Sequence, residues 1–228
     1  MLETVYQDNY IVAINKPHGL LVHQSSIARD AKEFALQLLR DQIGKTVYPS
    51  HRLDRKTSGI LVFALDKATD KLMQQKFRNR AVEKKYLALV RGFAPSEMTI
   101  DYALKNENEV LQDAVTHFKA LEQFELNLPL GKHRTSRYSL VEASPETGRM
   151  HQLRKHFAHI FHPIIGDRPH GCNKQNKFWL EHFEMDTMLL HASSLSFNHP
   201  HTDERVDIKA GISKEFERVL KIISAKNI

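Results

Sequence analysis

Nine residues, HRLDRKTSG at 51–59, hold three Lys or Arg side chains, one acid and two hydroxyls, and the apolar run Ile60–Leu65 follows at once. The single carboxylate is Asp54. An ionised carboxylate among cations can attack an electrophilic carbon or take a proton, and the cations can hold a phosphate-bearing substrate beside it. A solvated loop could have the same composition. What favours chemistry is the place: a side chain just ahead of a buried strand can be held rigidly at a cleft. A second candidate is Arg154 in TGRMHQLRKHFAHIFHP, 147–163. It borders the stripe formed by Leu153, Phe157, Ile160 and Phe161, and a half-buried guanidinium there calls for a carboxylate partner. The alternatives are a structural ion pair or a solvated face.

Other chemistries find less support. His151, His159 and His162 invite a metal reading, but no HExxH or CxxC accompanies them and no acid lies within their helix. They read instead as surface or RNA-facing imidazoles. Gly166-Asp167 reads as a simple turn. There is no Gly-rich phosphate loop or dinucleotide fingerprint, and Ser58 lacks the GxSxG context of a nucleophile elbow.

The elements that must position these residues are legible in outline. Residues 4–22 predict two short strands around Asp8-Asn9 and a turn at Lys16-Pro17-His18-Gly19. ARDAKEFALQLLRDQI predicts a helix with Ala31, Phe34, Ala35, Leu38 and Leu39 on one face. A strand over 60–65 leads to a helix capped by Asp66 that runs to about Arg78, with Leu72, Met73 and Phe77 inward. Strands follow at 85–92, 115–121, 137–143 and 189–197. The helix bearing Arg154 is stopped by Pro163. A last helix after Ser213 turns Phe216, Val219, Leu220 and Ile223 inward. Residues 94–135, with Pro95, Asn106, Asn108, Pro129 and Gly131, are expected to be the least regular and most mobile part. Strands with a few interspersed helices and no βαβ alternation predict an α+β fold around a mixed, largely antiparallel central sheet with flanking helices.

The 228 residues suffice for a substantial core. A net charge of +6, with 33 Lys and Arg against 27 Asp and Glu, favours a polyanionic partner. The basic residues are spread along the chain, so a nucleic-acid surface must be assembled by folding. The longest apolar run is too short to span a bilayer, no secretory leader is visible, and one cysteine, Cys172, excludes an intrachain disulfide. A cytoplasmic location is expected.

HRLDRKTSG with its apolar sequel resembles the HRLDxxTSG signature of the RluA family of pseudouridine synthases. Three further segments resemble family motifs in the same order: KKYLALVRG at 84–92, TGRMHQLRKHFAHIFHPIIGD at 147–167, and LLHASSLSFNHP at 189–200. The opening YQDNYIVAINKPHGLLVH resembles the family's first strand and its Lys-Pro-x-Gly turn. The similarity spans about residues 4–211.

The resemblance implies one catalytic domain over 1–228 with an active-site cleft in the sheet and no preceding S4 RNA-binding module. It implies an isomerase that needs no metal or cofactor and flips its target base. Residue by residue, Asp54 matches the essential aspartate, Arg154 the arginine that pairs with it, and Tyr86 the aromatic that stacks on uracil. Arg52 matches the basic residue that enters the duplex where the base has left. His51, Lys84 and Leu153 fall on the remaining substrate-binding positions. Within the family the likeness is greatest to the short members that act on tRNA, which implies tRNA as partner and uridine 65, at the base of the T-arm, as target. A monomer is expected. The rivals are ribosomal RNA as substrate, an inactive RNA-binding protein with this fold, and a metal hydrolase built on the His cluster.

Overall fold

A computed structural model describes residues 1–24 and 33–227. In chain order the elements are β1 (Glu3–Gln7), β2 (Ile11–Lys16), α1 (Ala35–Ile43), β3 (Tyr48–Pro49), β4 (Ser58–Ala64), α2 (Lys67–Arg78), β5 (Val82–Arg91) and β6 (Glu97–Asp101). Then come β7 (Leu104–Lys105), β8 (Leu111–Gln112), β9 (Val115–Leu126), β10 (Ser136–Pro145), α3 (Gln152–His159), α4 (Asn173–Phe183), β11 (Leu190–Asn198), β12 (Arg205–Lys209) and α5 (Lys214–Ala225). The chain forms two compact units, and β5 and β11 pass from one into the other.

The first unit comprises Met1–Lys84 and Ala192–Ser213. Its strands run in the order β1-β2-β4-β11, with β12 on β11 and β3 on β4. The β1–β2, β2–β4 and β11–β12 ladders are antiparallel. All seven residues of β4 are buried, because SGILVFA offers both faces of the strand small or apolar groups and nothing that requires water. Gly59, the second residue of this strand, has φ 106°, and a Cβ there would collide with the backbone of Ala192 in β11. The Gly of the TSG triplet is therefore required by strand packing. One face of the sheet closes over a core of Ile11, Ala13, Ile60, Val62, Met73 and Leu195. α2 begins as the sequence predicts: Asp66 Oδ1 accepts from the Thr69 N–H at 2.8 Å, the capping bond of a helix N-terminus. Met73 is buried, but Leu72 is exposed, one step off the inward stripe.

The second unit comprises Lys85–His191 and Lys214–Ile228. Its strand order is β5-β10-β9-β6, antiparallel throughout. Residues 94–135 are more regular than expected. β9 runs on to Leu126, pairing with β6 on one edge and β10 on the other. A register shift at Leu140/Val141 interrupts its alternation, which is why only its first half reads as a strand. α3 packs Leu153 and Phe157 into a core with Ala88, Val90, Phe118, Val141 and Ile164. It stops earlier than predicted: Ile160 is its C-cap, and Phe161 turns outward at φ 63°, 83% exposed. α4, with Trp179 and Phe178 buried, is an element the apolar pattern did not announce.

α1 begins at Ala35 and not before. Phe34 is extended and bridges Leu21, so it enters the core as part of a strand-like segment. The predicted start of this helix, including Ala31, lies outside the described residues. The α+β class with mostly antiparallel pairing is what the structure shows. Among the described residues, no helix is long and apolar enough to cross a membrane.

Candidate active site

Asp54 sits in the loop that feeds β4. Its carbonyl accepts from the Thr57 N–H at 3.0 Å, closing a turn. Burial alternates before it, with Arg52 exposed, Leu53 buried and Asp54 half-buried, the alternation of an extended segment. The loop is held from three directions. Gly19 and Arg55 exchange bonds: the Gly19 N–H donates to the Arg55 carbonyl at 2.9 Å, and Arg55 Nε donates to the Gly19 carbonyl at 3.1 Å. Lys16, at the end of β2, is wholly buried and donates from Nζ to the carbonyls of Pro17 (2.9 Å), Leu20 (2.8 Å) and Arg55 (3.2 Å). One ammonium thus satisfies three backbone acceptors and ties the Lys-Pro-x-Gly turn to the loop of Asp54. Burial pulls the Lys16 pKa down to about 7, against the opposing pull of the Asp54 charge.

The third fixture is His51. Its Nε2 accepts from the Val62 N–H at 3.1 Å, and its ring lies 4.6 Å from that of Phe77. Burial pulls its pKa down to about 4 against the opposing bond with Arg52's backbone, with the Lys84 charge adding to the fall, so the imidazole is neutral at pH 7. These contacts tie the His51 ring to β4 and α2. Lys84 closes the first unit's share of candidates; burial, then the Arg80 charge, bring its pKa down to about 8.

The second unit carries Tyr86, Leu153 and Arg154. Tyr86 stands on β5 opposite Ala143 of β10 and packs against the core cluster that contains Leu153. The TGRMHQLRKH block is a scaffold for α3. Thr147 Oγ1 donates to Gln152 Oε1 at 2.6 Å, and Gln152 Nε2 donates to the Val115 carbonyl (2.9 Å) and to Thr116 Oγ1 (3.0 Å). His156 Nε2 lies 3.0 Å from the Tyr102 carbonyl, which can only accept, so the proton is on Nε2 and Nδ1 accepts from Thr116. Three side chains of the motif, Thr147, Gln152 and His156, thereby pin α3 to β9.

Arg154 departs from expectation in its depth. It is 5% exposed, fully inside its unit and not at the edge of the stripe. It also has a carboxylate partner there: Nε and Nη2 reach Asp167 Oδ2 and Oδ1 at 2.8 and 2.9 Å. Asp167 is 1% exposed. In the sequence it reads as part of a simple turn. The available signal was its context, since an acid directly behind the apolar pair Ile164-Ile165 is a candidate for burial, and a buried charge calls for a partner.

The three imidazoles that suggested metal have separate partners. His151 Nδ1 meets His170 Nε2 at 2.9 Å, the His159 ring stacks on Tyr102 at 3.6 Å, and His162 Nδ1 bonds the Arg91 carbonyl at 2.7 Å. They do not converge, and among the described residues no group of three potential ligands does.

The family model described as RNA pseudouridylate synthase matches residues 9–159, from the first unit well into the second. A Vibrio cholerae protein named tRNA pseudouridine synthase C is 46% identical over 96% of this chain and 95% of its own length. A Haemophilus influenzae protein of the same name is 42% identical with both chains covered in full. Among solved structures, human RNA pseudouridylate synthase domain containing 1 superposes with a TM-score of 0.74 at 24% identity, over 100% of this chain and 96% of that one. Human RNA pseudouridylate synthase domain containing 4 gives 0.73 at 25% identity, over 97% and 93%. With a model that covers most of the chain and relatives this similar end to end, the protein belongs to the RNA pseudouridylate synthase family and is an isomerase.

Proposed function

We propose that this enzyme converts a uridine of tRNA to pseudouridine, with uridine 65 as its target. The observation that supports tRNA is the end-to-end similarity to relatives named for tRNA pseudouridine synthase C. The net charge of +6 suits the same partner.

In this reading Asp54 is the working carboxylate. The N1–C1′ bond of the nucleoside breaks with Asp54 acting on the ribose, as nucleophile at C1′ or as base. The detached uracil turns, and C5 bonds to C1′. The hydrogen on C5 leaves as a proton and N1 gains one, so product and substrate are isomers and neither redox nor phosphate chemistry is required. Arg154 supplies the cation that supports the anionic carboxylate, and Tyr86 the ring on which the flipped uracil stacks. Arg52 takes the place of the extruded base, while Lys84 and Leu153 border the uracil. His51 contributes by fixing the loop. A single carboxylate suits a reaction that keeps its base, whereas glycoside hydrolysis uses a pair and an activated water.

The test is Asp54→Asn, which keeps shape and removes the anion. Tritium release from tRNA carrying 5-tritiated uridine should vanish, with tRNA affinity changed less than about threefold. Substantial release by this variant would remove Asp54 from the chemistry. Mapping pseudouridine in tRNA treated with wild-type enzyme tests the target, and modification confined to a position other than 65 would overturn that part alone.

A further inference from the structure

Asp167 is held by a dense set of bonds and close contacts. The Asn176 side chain, on α4, clasps the backbone at its base. Its Oδ1 accepts from the Gly166 N–H at 3.0 Å, and its Nδ2 donates to the Asp167 carbonyl at 2.7 Å. The segment has no slack on either side. Gly166, at φ 82°, lies so close to the Thr187 carbonyl that a Cβ would collide with it, and a Cβ on Gly171 would strike the Asp167 carbonyl oxygen. From this mount the carboxylate takes two donors from Arg154, and its Oδ1 also lies 3.4 Å from the His170 N–H.

A fork of this kind does more than neutralise charge. Two parallel N–H···O bonds fix the plane of the guanidinium as well as its position. They occupy the edge formed by Nε and one hydrogen of Nη2, so the edge formed by Nη1 and the other Nη2 hydrogen faces away from Asp167. Stability alone is a poor reason for such a pair. Packed apolar residues of similar volume usually serve a core as well as or better than a buried ion pair, and Arg154 is flanked by the apolar cluster that holds Leu153 and Phe157. What an apolar pair cannot do is present a guanidinium in one orientation.

We infer that Asp167 is a positioning residue of the pseudouridine-forming reaction. It aims Arg154, and Asn176 holds Asp167 in place. This rests on the reading above, in which Arg154 supports the working carboxylate. The bland alternative is that the pair merely fastens α3 to the segment 163–171.

Asp167→Asn preserves volume and removes the charge and one half of the fork. At saturating tRNA, and at a temperature well below melting, the single-turnover rate should fall by about 100-fold, the scale of a misplacement near 1 Å. The Kd for tRNA should change less than about threefold. Asp167→Glu, which restores the charge on a longer stem, should recover part of the loss. On an Arg154→Lys background Asp167→Asn should add little, because the plane it sets is already gone. A fastener would lower the melting temperature while leaving the single-turnover rate of the folded protein within about threefold of wild type; that result overturns the proposal, as does a full multiplicative loss in the double variant. If Asp167→Asn does not fold, Asn176→Ala keeps the carboxylate and loosens its mount. It should slow turnover several-fold, and a wild-type rate would overturn the proposal. Failure of the functional reading looks different, since the wild-type enzyme would then form no pseudouridine in tRNA.

Discussion

Among the described residues two Lys or Arg side chains are buried, Lys16 in the first unit and Arg154 in the second. They are stabilised in opposite ways. Lys16 donates to three neutral carbonyls, whereas Arg154 makes a two-pronged pair with a carboxylate. Carbonyl dipoles replace part of the water an ammonium loses, so burial still drives the Lys16 pKa down to about 7. The difference follows the task. In the first unit the cation is a staple for the backbone that bears Asp54, and it can serve even half-neutral. In the second the cation is itself the proposed functional group, so its charge and its plane both need an anion to fix them.

The largest effect that probes this contrast is at Arg154. Arg154→Met leaves Asp167 buried and unpaired, and should cost about 3–5 kcal/mol in a urea titration, together with turnover. Adding Asp167→Leu should return most of the stability and none of the activity. If the double replacement restored turnover, the claim that this cation is functional would fall.

Lys16→Met should cost less, about 1–3 kcal/mol, because it leaves acceptors and not a charge without partners. Its pH dependence carries the sharper signature. The Lys16 pKa is about 7 in the folded state and 10.5 in the unfolded chain, so between these values the unfolded state binds more protons and stability rises with pH. Wild type should therefore gain on Lys16→Met as the titration moves from pH 7 towards 10.5. A difference that stays flat across that window would mean the ammonium is charged throughout, and the contrast with Arg154 would disappear.

The smallest effect belongs to His51. His51→Gln should cost about 1 kcal/mol at pH 7, one backbone bond partly replaced. With a folded pKa near 4 against 6.5 unfolded, neutral His51 contributes stability that is lost as pH falls from 6.5 through 4. The Gln variant should lack that acid-side loss, so its deficit against wild type should shrink by pH 4. A deficit independent of pH would argue that the ring is not held neutral by the scaffold.

Local signals in the chain determined a good deal: the cap of α2 at Asp66, the buried strand after HRLDRKTSG, the turn at Lys16-Pro17, and the motifs that define the family. Each depends on near neighbours, through a cap bond, a period of two, or a fixed φ, and such effects are written into short stretches. The end of α3 was misread because Ile160 and Phe161 continue its apolar stripe, while the αL turn at Phe161 sends that ring to solvent. α4 escaped notice because its buried Phe178, Trp179 and Phe183 follow a polar first turn with no capping side chain. The interior position of Lys16 and the bonding of Arg154 to Asp167 were beyond any local rule. A charge is buried only where the rest of the fold brings acceptors to it from residues as far along the chain as Arg55 is from Lys16 or Asp167 from Arg154. Which acceptors those are is decided by packing, and only the tertiary structure records it.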